Sequence, residues 1–148
     1  MAQTSTQPPP LTPIERTRLV GLAVLIFVIL ASYSIARPAT ESLFLGAHGA
    51  DALPMAWLMV GVGSLGVVTI YNRFAATTDL VRIFGAASGI SALALVAILL
   101  GMQIDAGSMT WTLYLWKDLY IVVLIEIVWS FANATVPQAR AKWWYGLF

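Results

Sequence analysis

The chain has 148 residues, of which 59% are hydrophobic and 10% charged, and its mean hydropathy of +0.83 is far above that of an ordinary soluble domain. It contains no cysteine, which excludes a disulfide framework and a thiolate metal site, and its single His48 cannot build a metal centre alone. The net charge of +1 comes from scattered basic residues, so we expect no nucleic-acid partner. These values predict an all-α, polytopic membrane protein.

The chain begins with a polar, proline-rich tail over residues 1–12, whose composition cannot form a packed core. A helix-start signature follows, with Thr12 as the N-cap, Pro13 at the first helical position and Glu15 placed to reach back to the cap. The sequence therefore predicts a first helix over about residues 13–36, in a membrane domain that occupies residues 13–148.

The uncharged part of this helix, Leu19–Ala36, has about 18 residues and a length of roughly 27 Å, close to the thickness of the hydrocarbon core. It is predicted to span the membrane. The alternative is a secretory signal peptide, with Arg16 and Arg18 as its basic region and residues 34–36 as its cleavage site. The apolar run is longer than the h-region of most signal peptides, which favours the spanning helix.

Two further apolar runs predict a second helix over about residues 54–72 and a third over about 82–103. Both contain small residues that allow close approach of helices, either within one bundle or at a dimerisation face. We predict that the glycines that pack helices are Gly61, Gly63, Gly66, Gly85 and Gly89. The string GVGSLG matches a dinucleotide-binding pattern in letters only, because it lies inside a predicted membrane helix and no strand precedes it.

The fourth predicted helix, over about residues 110–136, contains Lys117, Asp118 and Glu126 within an otherwise apolar stretch. Such groups cost at least roughly 2.5–3.5 kcal/mol each near the centre of the bilayer for Asp or Lys, so they normally face a bundle interior or a wet cavity. This helix is therefore expected to differ in role from the other three.

At 100° per residue, Glu126, Ser130 and Asn133 fall within about 40° of one another on the fourth helix, with Asp118 roughly 80° to one side. Lys117 points to the opposite face. One interpretation is that Glu126 and Asp118 line a transport cavity, where they contact a cationic group or handle a proton. The other is that Glu126 is protonated or paired within the bundle, while Lys117 and Asp118 snorkel to the outer interface.

Arg37 follows the first apolar run and is itself followed by Pro38 and, four residues along, by Glu41. A proline here kinks or terminates the helix, and the adjacent arginine is placed to hold an anionic substrate through two hydrogen bonds. Alternatively, Arg37 anchors the helix at the lipid headgroups.

The distribution of basic residues predicts a multi-pass protein of the cell (inner) membrane with both termini in the cytoplasm. The basic residues on the predicted cytoplasmic side are Arg16, Arg18, Arg73, Arg82, Arg140 and Lys142. The opposite side carries Arg37 with Glu41, Asp51 and Asp105. Residues 137–148 form a cytoplasmic aromatic and basic terminus, whose interface anchors are Arg140, Lys142, Trp143, Trp144 and Tyr145.

Two stretches resemble the nucleotide transporter family, the ATP/ADP translocase-like exchangers related to the major facilitator superfamily. YSIARPATESLFLGAHGADALP is similar to that family's first helix and loop, and the corresponding residues are Arg37, Glu41, Gly49, Asp51 and Pro54. Thr40 stands where a second basic residue is common in the family. WSFANATVPQARAKWWYGLF resembles the end of the fourth helix, through Trp129, Ser130, Ala132, Asn133, Ala141, Lys142, Tyr145 and Phe148.

The resemblance implies a carrier of twelve helices in two halves, with alternating access around a site where basic groups meet phosphates. Four helices cannot enclose such a pathway, so this chain is expected to be the N-terminal portion of a secondary carrier or exchanger for an anionic solute such as a nucleotide. The predicted substrate-binding residues are Arg37, Glu41, Asp118, Glu126 and Asn133. No catalytic residue, metal site or cofactor is expected.

The expected partners are the lipid bilayer and further transmembrane helices, from a missing C-terminal part or from partner subunits. The alternative function is that of a small four-helix accessory subunit of a larger membrane complex, without transport activity of its own. Under that alternative, Glu126 and Lys117 would pair with groups on the partner.

Overall fold

The computed structural model describes residues 12–135, and in that range the chain is all-helical. The helices are α1 (Pro13–His48), α2 (Leu53–Ala75), α3 (Leu80–Gly101) and α4 (Ala106–Thr135), with a short 3-10 turn at Ala50–Ala52 between α1 and α2. The predicted all-α class and the four helices are confirmed. The proline-rich tail before Thr12 and the predicted anchors Arg140, Lys142, Trp143, Trp144 and Tyr145 lie outside the described residues.

Side-chain caps fix the beginnings of three helices. At α1 the predicted capping box is present: the Glu15 amide donates to Thr12 Oγ1 at 3.3 Å, and the Thr12 amide donates to Glu15 Oε2 at 2.9 Å. Asp79 caps α3 by accepting from the Val81 amide at 3.3 Å. The apolar run alone predicted that α3 begins near residue 82, and the Asp79 cap places its beginning two residues earlier, at Leu80.

Asp105 provides the equivalent contact at α4, because its Oδ1 accepts from the Ser108 amide at 3.2 Å. The Ser108 hydroxyl and amide hold the pKa of Asp105 below its ordinary value by hydrogen-bonding the charged carboxylate. The stabilisation is therefore complete at neutral pH and is lost as acid protonates Asp105. This cap explains why α4 begins at Ala106 and not near residue 110, as the apolar pattern alone predicted.

The predicted end of the first helix near residue 36 is wrong, because α1 runs without interruption through Pro38 to His48. A proline inside a helix removes a backbone hydrogen bond and costs about 3 kcal/mol. Tertiary packing outweighs this cost, since Thr40 and Phe44 beyond the proline are both buried. The segment is also tied down at its end, where His48 Nε2 lies 3.0 Å from the Gly107 carbonyl oxygen of α4.

Three helical segments are long and apolar enough to cross a membrane: Pro13–His48, Ala50–Ala75 and Leu80–Gly101. Their large apolar side chains are mostly exposed on the surface of the bundle, as Phe27, Leu65 and Leu93 illustrate. Such a surface suits a lipid environment and not water. Membrane-spanning character is thus found for three of the four predicted spans, and α4 is not clearly a span by the same measures.

Helix α4 is the centre of the bundle. It packs against α1, α2 and α3, whereas α2 and α3 hardly touch each other. One core cluster joins α1 to α4 through Leu22, Ile29, Ile121, Leu124, Val128 and Ala132, and a second joins α1, α2 and α4 through Phe44, Ala56 and Tyr114. The middle of α4 is consequently covered by helices on three sides, and Lys117 in it is buried.

Most of the predicted packing glycines do not lie at a helix interface. A Cβ atom added at Gly61, Gly66, Gly85 or Gly89 would meet nothing within 4 Å, so the prediction that these glycines pack helices within this bundle is wrong. Their faces of α2 and α3 point away from α4. Gly63 does pack, because its Cβ would lie 3.0 Å from Leu119 Cδ2.

We expect Phe44→Ala to lower the free energy of unfolding by about 3–5 kcal/mol, because this side chain is fully buried against Trp111 and Tyr114. Phe27→Ala is the matched control, since Phe27 lies in the same helix and is 72% exposed. Chemical denaturation of the detergent-solubilised protein measures both. Equal losses for the two variants would contradict this packing of α1.

Candidate functional site

A cluster of polar side chains surrounds a pocket of about 360 Å³ between α1, α2 and α4. Its lining residues are contributed by all three helices: Tyr33, Arg37, Glu41, Leu45, Leu53, Trp57, Tyr114, Lys117 and Asp118. Two bases and two acids are present, so the pocket carries four formal charges and no net charge. We call it the charged pocket.

Helix α1 contributes Tyr33, Arg37 and Glu41 at intervals of four residues, which places them one above another on the same face. Arg37 Nε donates to Glu41 Oε1 at 2.9 Å, and this pair straddles Pro38. The four-residue interval survives only because the helix continues past the proline. If the helix had ended near residue 36, Glu41 would not lie on the same helical face as Tyr33 and Arg37.

Helix α4 contributes Lys117 and Asp118, which form an ion pair with Nζ at 2.9 Å from each carboxylate oxygen. The Tyr33 hydroxyl donates to Asp118 Oδ1 at 3.0 Å, and Lys117 Nζ lies 3.9 Å from Glu41 Oε1. The charges therefore alternate in sign from Arg37 through Glu41 and Lys117 to Asp118. This network joins α1 to α4 by electrostatic contacts as well as by apolar packing.

Lys117 is only 2% exposed, and its Nζ lies 4.1 Å from the centre of the Tyr114 ring. It is two residues from Leu119, which faces Gly63 near the middle of α2, and its side chain is enclosed by protein. The alternative that Lys117 snorkels to the outer interface stays a prediction. The helical wheel placed it opposite the polar stripe because a wheel gives the direction of Cβ, and not the position of a flexible ammonium.

Aromatic side chains build the outer wall of the charged pocket. Trp57 Nε1 donates to the Tyr114 hydroxyl at 3.1 Å, which links α2 to α4. The Tyr114 ring packs on Phe44 with 4.6 Å between ring centres, and Phe44 packs edge-on against Trp111. Because Tyr114 is fixed on both sides, the ring beneath the Lys117 ammonium has a defined position.

Arg37 is the most accessible charge of the charged pocket, with 58% of its side chain exposed. Its Nε is engaged by Glu41, whereas its two terminal nitrogens make no hydrogen bond to any of residues 12–135. The planar end of the guanidinium is thus presented at the pocket with its donors available. This geometry suits an anion with two oxygen atoms, such as a phosphate or carboxylate.

The predicted substrate-binding residues fall into two separate groups. Arg37, Glu41 and Asp118 all line the charged pocket. Glu126 and Asn133 do not line it and lie two or more helical turns further along α4. In that second region the Tyr71 hydroxyl of α2 lies 2.6 Å from Ser130 Oγ and donates to the Glu126 backbone carbonyl at 3.4 Å. The charged pocket therefore contains Asp118 and not Glu126.

Six residues of the charged pocket were missed from the predicted site: Leu45, Leu53 and four with polar groups, Tyr33, Trp57, Tyr114 and Lys117. The four-residue spacing of Tyr33 from Arg37 was a usable signal. The string WTLYLWK, which is dense in aromatic residues beside a buried charge, was another.

The arrangement can hold a charged group and orient it, and nothing in its geometry activates a nucleophile. No group of three His, Asp or Glu side chains within residues 12–135 is placed to hold a metal ion. Comparison of the chain with protein-family models, with curated proteins and with solved structures finds no match.

We expect Tyr33→Phe to destabilise the protein by about 1.5–3 kcal/mol, because it removes a hydrogen bond to a partly buried carboxylate. Tyr120→Phe is the control: Tyr120 stacks on Trp116 through its ring, and its hydroxyl has no bond within the described part of the chain. Denaturation curves of both variants in detergent provide the comparison. A loss at Tyr120 as large as that at Tyr33 would exclude a specific role for the Tyr33–Asp118 bond.

Proposed function

We propose that the chain belongs to a membrane carrier and binds an anionic solute in the charged pocket. The observation that carries this proposal is a cluster of four charges between apolar helices, with Lys117 buried and the exposed guanidinium of Arg37 at an open pocket. Charges inside a membrane protein are costly, and they characteristically mark solute or ion pathways.

Arg37 is the proposed recognition group for the anion. Glu41 holds Nε and thereby orients the guanidinium plane, which leaves the two terminal nitrogens to form two parallel hydrogen bonds with the solute. Trp57, which is exposed, supplies aromatic surface in the same pocket, against which an uncharged part of the solute can pack. The solute class is therefore one that combines an anionic group with an apolar or aromatic portion.

The resemblance to nucleotide transporters supports the same proposal, because Arg37 and Glu41 belong both to the resembling stretch and to the charged pocket. Thr40, where the family often has a second basic residue, is buried and uses its hydroxyl on the Ala36 and Arg37 carbonyls. Because Arg37 is the only base that α1 contributes to the charged pocket, the proposed solute is an anion in general and not specifically a nucleotide.

Transport requires more helices than the four described. α4 is covered on three sides only, and the charged pocket is open, so we propose that further transmembrane helices close the pathway. The chain would then form the N-terminal portion of a multi-pass carrier or exchanger in the cell (inner) membrane, with both termini in the cytoplasm.

An accessory subunit is the second candidate, and a separate surface favours it. Because α2 and α3 diverge, a groove of about 720 Å³ lies between them over α4. Its lining includes Ser91 and Trp116, whose Oγ and Nε1 atoms are buried without a hydrogen-bond partner among residues 12–135. A helix of a larger complex seated in this groove would cover its apolar lining. Under this alternative the charged pocket would serve assembly and would bind no solute.

We expect Arg37→Gln to weaken the binding of inorganic phosphate or of a nucleoside triphosphate about tenfold or more, because it removes charge-assisted hydrogen bonds. Arg82→Gln is the control, since Arg82 is an exposed base near the beginning of α3 and does not line the pocket. Equilibrium binding of the radiolabelled anions to purified protein measures the effect, and proteoliposome uptake extends it to transport. Unchanged binding in the Arg37 variant would remove Arg37 from the site, and binding by neither protein would favour the accessory subunit.

The proposed orientation is testable because the chain has no cysteine, so a single introduced cysteine is a clean reporter. Thr78→Cys lies in the α2–α3 loop and Gln103→Cys in the α3–α4 loop, and both positions are exposed. A membrane-impermeant maleimide added to intact cells is expected to label the Gln103 variant, and the Thr78 variant only after permeabilisation. The reverse pattern would place the termini outside.

A further inference from the structure

The ammonium of Lys117 lies in the charged pocket beside the carboxylates of Asp118 and Glu41, at a position that a bound cation would also suit. We propose that its ammonium is an internal counter-ion, which makes solute binding at the pocket independent of any monovalent cation from solution. This inference rests on the proposed function, and it assigns a role to a residue that the substrate-binding hypothesis did not include.

The surroundings of Lys117 Nζ are those of a cation site. Both oxygens of Asp118 lie at 2.9 Å, Glu41 Oε1 lies at 3.9 Å, and the face of Tyr114 lies at 4.1 Å from its ring centre. Carboxylate oxygens from two helices and the negative face of an aromatic ring all attract a single positive charge. The Lys117 side chain fills this position from within α4 and is sealed from solvent.

Charge balance shows what Lys117 supplies. With Arg37, Glu41, Lys117 and Asp118 present, two positive and two negative charges cancel. Without Lys117, the pocket would hold a net negative charge, and Asp118 would be left with only the Tyr33 hydroxyl as partner. An unpaired carboxylate in such surroundings is strongly unfavourable and would recruit a positive charge from solution.

Lys117 also gives Arg37 freedom to engage a solute. Glu41 contacts both bases: its Oε1 lies 2.9 Å from Arg37 Nε and 3.9 Å from Lys117 Nζ. When an anion binds the terminal nitrogens and takes up the charge of Arg37, Glu41 still has a second positive neighbour in place. Glu41 therefore stays neutralised, and no cation has to enter with the solute.

The test uses the purified full chain in detergent at pH 8, with thermal unfolding compared in sodium chloride, potassium chloride and choline chloride of equal ionic strength. The wild type is expected to show the same midpoint in all three salts. Lys117→Met is expected to unfold at a lower temperature in choline and to recover at least half of that loss in sodium or potassium. Lys117→Gln, which keeps a hydrogen-bond donor without the charge, should behave in the same way and guards against poor folding of the methionine variant.

Two controls locate the effect at the charged pocket. Adding Asp118→Asn to Lys117→Met removes the carboxylate that would recruit the cation, so the response to sodium and potassium should disappear. Arg82→Met removes an exposed base elsewhere and should leave the wild-type behaviour unchanged. A response that survives in the Lys117→Met/Asp118→Asn protein would overturn the proposal, because the cation would then bind elsewhere.

Three results would contradict the counter-ion role: equal midpoints of the Lys117 variants in all three salts, recovery by lowered pH alone, or a wild type that needs sodium or potassium for full stability. None of these measurements uses a solute. A correct cation response together with failure of phosphate or nucleotide binding would overturn the carrier and leave the counter-ion intact. The opposite combination would retain the carrier and reject the counter-ion.

Discussion

The neutralisation of one buried ammonium is the constraint on which the structure depends. Lys117 is buried in an apolar bundle, where an unmatched charge would outweigh several apolar contacts. Asp118 beside it on α4 supplies the first anion, but Glu41 and the Tyr33 hydroxyl that supports Asp118 both come from α1. The pairing of α1 with α4 is therefore electrostatic as well as apolar, and it defines the height at which the two helices meet.

The same requirement accounts for the unusual length of α1. Glu41 reaches the charged pocket only if the helical register of Tyr33 and Arg37 continues across Pro38. Beyond the proline, Phe44 and His48 pack on the beginning of α4 and hold the extension in place. The proline is tolerated because the contacts on both sides of it converge on one partner helix.

Local signals in the sequence were sufficient for the presence of four helices and for three of the nine residues that line the charged pocket. Length and hydropathy predict four spans, of which three have spanning character in the described residues. The Thr12–Glu15 capping box marks the beginning of α1, and the interval from Arg37 to Glu41 places a base and an acid together. Three features were not predictable: the continuation of α1 through Pro38, the direction of the Lys117 ammonium, and the absence of packing contacts at Gly85 and Gly89 within the described residues. Each depends on which helix lies opposite, and a single sequence read by periodicity contains no such information.

Pro38 gives the pocket a mechanical property. A helix is softest where a backbone hydrogen bond is missing, and here that point lies one residue from Arg37. The eleven residues from Pro38 to His48 form a stiff arm of about 15 Å, so a bend of about 10° at the proline moves the far end by roughly 2.6 Å. A bend at Pro38 therefore couples the position of the α1–α2 turn to the distance between Arg37 and Glu41. A movement of the His48 end of α1 would change the geometry of the charged pocket.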